Sequence, residues 1–199
     1  MRALQRMRDG DKINLEKVQF LLIDDNYQSL NIMHQVVVGF GARGVLKCQS
    51  AAAGREIINN TPLDVILTDA QMPDEDGYSL IKWVRRKAPE PNRFVPIVLV
   101  TGHTPQSKVH KARDCGAHFV VAKPLPPYVL LERIFWSTRE DRKFVECDGY
   151  VGPDRRFQRL GPPAGAEGRR ADDLKDAPAE PNLSQEDINA PMKPAKVKL

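Results

Sequence analysis

Three cysteines in 199 residues, with no C-x-x-C pair among them, argue against both a disulfide framework and a thiolate zinc site. Cys48, Cys115 and Cys147 fit a reducing compartment, and the cytoplasm is the expected one. Long apolar runs are also missing. The longest fall well short of the roughly eighteen residues a membrane span needs, and the opening MRALQRMRDGDKINLEK lacks the apolar core of an export signal. A soluble chain with no membrane partner is expected. Neither sign of charge dominates: 30 bases face 26 acids, so generic nucleic-acid binding is not the first reading. His34, His103, His110 and His118 show no ligand spacing and read as surface or packing residues.

What the chain does have is alternation. Strand-like runs at 18–24, 44–48, 63–69, 94–101 and 117–122 are interleaved with helical periods at 26–41, 51–60, 77–87, 105–116 and 126–140, with Ser50 placed to cap the second helix. VILTD and IVLVT are apolar on both faces, as in parallel sheets covered by helices on both sides. The pattern predicts an α/β fold, a doubly wound five-stranded parallel sheet, in which ligands bind outside the carboxyl ends of the strands. An N-terminal arm is expected over 1–17 and the folded domain over 18–140. Residues 141–199 hold seven of the sixteen prolines and no long apolar period, which predicts a mostly unstructured arginine- and proline-rich extension. SQED at 184–187 is a weak start signal for one short helix.

The predicted strands deliver polar residues at their carboxyl ends: Asp24 and Asp25, then Asp69, Thr101 and Lys123. Singly each has an ordinary role, as a helix cap, a turn residue, a β-former or a solvated base. Together they predict one crevice. Three carboxylates so close repel one another unless a hard cation joins them, and Mg²⁺ suits an all-oxygen site. Asp69 then stands as a nucleophile, with Lys123 and Thr101 ready for phosphoryl oxygens.

Residues 18–138 resemble the CheY-type receiver domain of bacterial response regulators, with its flavodoxin-like fold. The match rests on Asp24-Asp25, on Asp69 with Pro73 and Gly77 after it, on Thr101-Gly102 and on Lys123-Pro124. The resemblance implies that Asp69 is the phosphoacceptor, that Asp25, Asp69 and the Gln71 carbonyl touch Mg²⁺ with Asp24 reached through water, and that the Lys123–Pro124 peptide is cis. It implies a non-enzymatic regulator served by a sensor histidine kinase or phosphotransfer protein. No DNA-binding or catalytic module is visible, so output by protein contact is expected. Two rivals remain: a pseudo-receiver scaffold that never takes phosphate, and an aspartyl-phosphate phosphatase, which would need an Asp where Gln71 stands. The family's usual aromatic three residues before the lysine is replaced by Val120, with Phe119 facing the other way, and His103 is a bulky neighbour of the crevice.

The strip GYVGPDRRFQRLGPPAGAEGRRADD (149–173) carries Asp154, Arg155, Arg156, Arg159, Arg169 and Arg170. Arginine forks fit phosphates and the guanine O6/N7 edge, and stack on purines. The strip resembles the extension of CheY-like flagellar regulators that bind cyclic di-GMP and engage the motor; a merely solvated tail is the alternative.

Overall fold

The computed structural model describes residues 15–102, 106–139, 144–154 and 184–185. Strands β1 (Gln19–Ile23), β2 (Gly44–Cys48), β3 (Val65–Asp69), β4 (Ile97–Thr101) and β5 (Phe119–Ala122) alternate with helices α1 (Tyr27–Gly39), α2 (Ala51–Asn60), α3 (Gly77–Lys87), α4 (Gln106–Asp114) and α5 (Pro127–Arg139). All five strands pair in parallel in the order β2-β1-β3-β4-β5. Strand order therefore reverses between β1 and β3, which opens a crevice at their carboxyl ends. Every residue of β3 and β4 is buried, as the two-faced apolar runs require.

Local chemistry sets the helix starts. Asn26 accepts from the amides of Gln28 (2.9 Å) and Ser29 (3.1 Å), Ser50 Oγ accepts from Ala53 N–H (3.2 Å), and Asp76 accepts from Ser79 N–H (2.7 Å). Each satisfies an amide that the first helical turn leaves without a partner. The sequence boundaries hold within a few residues, except that residues 92–94 form a 3₁₀ turn ahead of a shorter β4.

Residues 144–153 add local structure to the mostly unstructured extension expected over 141–199. They form an antiparallel hairpin, β6 (Phe144–Cys147) and β7 (Tyr150–Pro153), joined by the two-residue turn Asp148-Gly149. Tyr150 and Val151 are buried, and Tyr150 donates its hydroxyl to Pro153 O at 2.6 Å. Arginine and proline content says nothing about a local Asp-Gly turn between two apolar-rich runs, and that turn is what folds this segment back on itself.

The hairpin is pinned by Arg85, which is fully buried at the carboxyl end of α3. Its guanidinium donates to Gly116 O (3.0 Å) and Arg93 O (2.7 Å), meets His118 Nδ1 (3.1 Å), and lies over the Phe144 ring at 5.2 Å. Because Arg85 and Ile97 N–H both donate to His118 Nδ1, the ring proton sits on Nε2. A buried cation is tolerable when its donors are met, and here carbonyls, an imidazole and an aromatic face meet them.

Gly116 sits at φ +99, where a Cβ would come 2.7 Å from Val151 O and 2.9 Å from Arg85 Cγ. Gly116→Ala is expected to cost about 2 kcal/mol or more, from the left-handed backbone and the clash together. Urea unfolding checks the size. Tryptic cleavage after Lys143 should speed up in the variant, and an unchanged cleavage rate would show that the hairpin does not lean on this glycine.

Candidate functional site

β1 ends one residue before Asp24, and β3 ends on Asp69 in the adjacent strand. Both carboxylates are taken from water: Asp24 is 0% exposed and Asp69 is 5% exposed. Lys123, which follows the outer strand β5, reaches across to both, with Nζ 2.8 Å from Asp24 Oδ2 and 2.6 Å from Asp69 Oδ1. The remaining oxygens are held by backbone. Asn26 N–H donates to Asp24 Oδ1 at 2.9 Å, and Gln71 N–H donates to Asp69 Oδ2 at 2.6 Å. Thr101 is buried at the end of β4, between the strands that carry Asp69 and Lys123, and its carbonyl accepts from Lys123 N–H at 2.8 Å.

The loop after Asp69 is drawn tight. Gly77 N–H donates to Ala70 O at 3.1 Å, and a Cβ on Gly77 would run into the Asp69 carbonyl oxygen. Asp76 caps α3 and pairs with Lys111 of α4 at 3.0 Å. Burial alone would raise the Asp76 pKa, but its hydrogen bonds to Ser79 and to Lys111 prevail and hold it below the ordinary value. Asp76 thus helps shape the turn that presents Asp69.

Burial pushes the Asp69 carboxyl above the ordinary range; the Lys123 and Gln71 hydrogen bonds oppose the shift, and the nearby Asp24 charge adds to it. For Lys123, burial favours loss of the proton, but its bonds to Asp24 and Asp69 outweigh that and raise its pKa. The ammonium is therefore firmly charged.

The structure brings Asp24, Asp69, Thr101 and Lys123 together, with the backbone of Gln71 at the rim. It does not crowd three carboxylates. Asp25 is exposed, its carbonyl accepting from Gln49 Nε2 at 3.2 Å, and Lys123 already stands between the other two acids. Among the described residues no three His, Cys, Asp or Glu side chains are grouped to hold a metal ion. The donor set still suits a hard divalent cation. It is all oxygen, each carboxylate has more lone pairs than its present bonds use, and the three acids outweigh one lysine. The Lys123–Pro124 peptide is cis, as the resemblance implied. Val120 is buried on β5, and Phe119 lies beneath Arg133 of α5, whose guanidinium is 5.5 Å from the ring. His103 lies outside the described residues, as do Arg155, Arg156, Arg159, Arg169 and Arg170; Asp154, half-buried, directly follows β7.

A five-stranded parallel sheet with an acid, a hydroxyl and a lysine gathered at its carboxyl edge defines a class of signalling domain. The response regulator receiver domain model matches residues 20–135, and the chain belongs to that family. It is 28% identical over 120 residues to chemotaxis protein CheY1 of Helicobacter pylori (strain J99 / ATCC 700824), covering 59% of this chain and 94% of that protein. A CheY-like receiver domain protein from Methanospirillum hungatei JF-1 superposes with a TM-score of 0.54 at 25% identity, over 61% of this chain and 93% of the other. The receiver domain of histidine kinase CKI1 from Arabidopsis thaliana, a complex with Mg²⁺, shares the fold with a TM-score of 0.55 at 23% identity, over 62% and 94%. No described helix is long and apolar enough to cross a membrane.

Missed from sequence was that the lysine is shared between two buried carboxylates. In Lys123→Met, two buried carboxylates lose their shared cation and the Asp69 pKa should climb further. A carboxyl whose folded pKa is raised loses stability as pH rises through that pKa, so the variant's deficit should be small near pH 4 and reach about 3 kcal/mol at neutral pH. Urea unfolding at both pH values tests this; an equal deficit at each would refute it.

Proposed function

We propose that this protein is the phosphoaccepting regulator of a two-component pathway, with Asp69 as acceptor and protein contact as output. The observation that carries the proposal is the Asp69 carboxylate, buried at a strand end, held by Lys123 and Gln71 N–H beside Thr101, in a chain of the receiver family. In the transfer an Asp69 oxygen forms the new bond to phosphorus while the bond from phosphorus to the donor's leaving atom breaks. Lys123 stays close to Asp69 and meets the new negative charge, and the Thr101 hydroxyl is the nearby neutral donor. Mg²⁺ would be held by Asp25, Asp69 and the Gln71 carbonyl, with Asp24 through water, and would supply charge neutralisation for the phosphoryl oxygens. A sensor histidine kinase or phosphotransfer protein is the matching donor, and the cytoplasm the matching compartment. Since relatives are chemotaxis proteins, a flagellar motor or similar assembly is the corresponding effector.

With acetyl phosphate and Mg²⁺, intact mass should show one phosphoryl adduct on the wild type and none on Asp69→Asn. Equal adducts on both would remove Asp69 as acceptor. No adduct on either would favour the pseudo-receiver scaffold. Steady release of inorganic phosphate from unrelated monoesters would favour the phosphatase.

A second input at the extension is suggested by the arginine-rich strip 149–173 itself, whose described part ends with β7 and Asp154. We infer that this strip, through Asp154, Arg155, Arg156, Arg159, Arg169 and Arg170, takes cyclic di-GMP by forked contacts to guanine and phosphate. Each forked contact is worth on the order of 1–3 kcal/mol, so Arg155→Ala with Arg156→Ala should weaken calorimetric binding at least tenfold. The double Lys variant should be nearly as weak. Full affinity in the Lys variant would indicate diffuse charge attraction instead.

A further inference from the structure

β5 is the outer strand on its side of the sheet: β4 pairs one edge, and among the described residues no strand pairs the other. Such an edge presents amides and carbonyls at every second residue, a template for another strand. Lys123 N–H faces β4 through its bond to Thr101 O, so by alternation Val121 also faces β4, while Val120 and Ala122 face outward.

The outward groups are occupied from 63 and 65 positions further along the chain. Ala122 N–H donates to Gln185 Oε1 at 2.7 Å, and Gln185 Nε2 donates to Val120 O at 3.3 Å. One amide thus gives to the residue before Val121 and takes from the residue after it. That is the bond pattern a residue on a parallel neighbouring strand would make opposite Val121. A primary carboxamide is the side chain suited to the task, since it has both a carbonyl and N–H groups, as a peptide unit does.

We propose that Gln185 acts as an internal substitute for a sixth strand: its side-chain amide closes the β5 edge, which otherwise pairs with the same edge of a second copy of this chain. The edge is self-complementary. Turned about a two-fold axis at Val121, Val120 of one copy lies opposite Ala122 of the other, and both residues direct N–H and C=O outward, as an antiparallel hydrogen-bonded pair requires. The hairpin β6–β7 docks elsewhere, against α3, and leaves this edge to Gln185.

Amide hydrogen exchange and sedimentation velocity on the full chain test both halves. In Gln185→Ala the Ala122 amide should exchange at least tenfold faster, while Val121, bonded to β4, keeps its rate and reports an intact sheet. Gln185→Glu retains an acceptor and should hold Ala122 closer to its wild-type rate. Gln185→Ala should also self-associate reversibly where the wild type stays monomeric, and adding Ala122→Pro, which deletes the edge donor, should restore the monomer. Identical Ala122 exchange in wild type and Gln185→Ala would overturn the cap. Fast Ala122 exchange in a variant that remains monomeric at millimolar concentration, or wild type associating as strongly as the variant, would overturn the self-pairing it is proposed to prevent.

Discussion

Two carboxylates buried on neighbouring strands cannot coexist without a cation, and Lys123 supplies it from the far side of the sheet. Asp24 and Asp69 lie at the ends of β1 and β3, while the lysine belongs to the segment after β5, so β4 is bridged over. The outer strand is thereby tied electrostatically to the centre of the fold. Its end must finish level with β4, which the Thr101–Ala122 register provides. Gly77 must lack a side chain for the Asp69 loop to close beneath α3, and Asn26 must cap α1 where its own amide can reach Asp24. The acid-rich loop, the capped helix and the strand register are separate local solutions to one demand, that the two acids be held and neutralised.

The opposite pole solves the mirror problem. There a cation, Arg85, is buried, and backbone carbonyls, the His118 ring nitrogen and an aromatic face surround it. Carbonyl dipoles can carry a guanidinium because its five donors spread the charge over several partners. This arrangement joins α3, the start of β5 and the hairpin into one packed unit. The extension is consequently part of the fold through Pro153.

The sheet and the gathering of its strand-end residues were largely legible because they depend on short-range signals: period, strand-end acids, a Ser cap, and a glycine eight positions after Asp69. What escaped depends on partners distant in sequence. Arg85 reads as one of three bases in a last helical turn, a common way to complement the helix dipole, and nothing local says that it is buried while Arg86 and Lys87 are exposed. His118 reads as a packing residue, and its acceptor role appears only with Ile97 and Arg85 beside it. The hairpin is different, since Asp148-Gly149 between FVEC and YVGP is a two-residue turn signal. Composition over the whole extension masked it. Asp25 is exposed where Asp24 is buried, a difference that adjacency in sequence does not reveal, because successive residues after a strand need not point the same way.

β5 carries three constraints at once, and they limit how a change at Asp69 can travel. Phe119 is held beneath Arg133, which also lies over Trp136 at 5.1 Å, so that aromatic is already committed to the α5 side. Val120 is buried and β-branched, with few rotamers and no ring to swing. An aromatic swap is therefore a poor route out of the crevice in this chain. The end of the strand is the better one. Lys123 divides its ammonium between two acids, so a new charge on Asp69 changes that division directly, and the adjoining residue, Ala122, is the one whose amide Gln185 holds. The lysine that carries the ammonium directly follows the residue whose edge amide Gln185 holds.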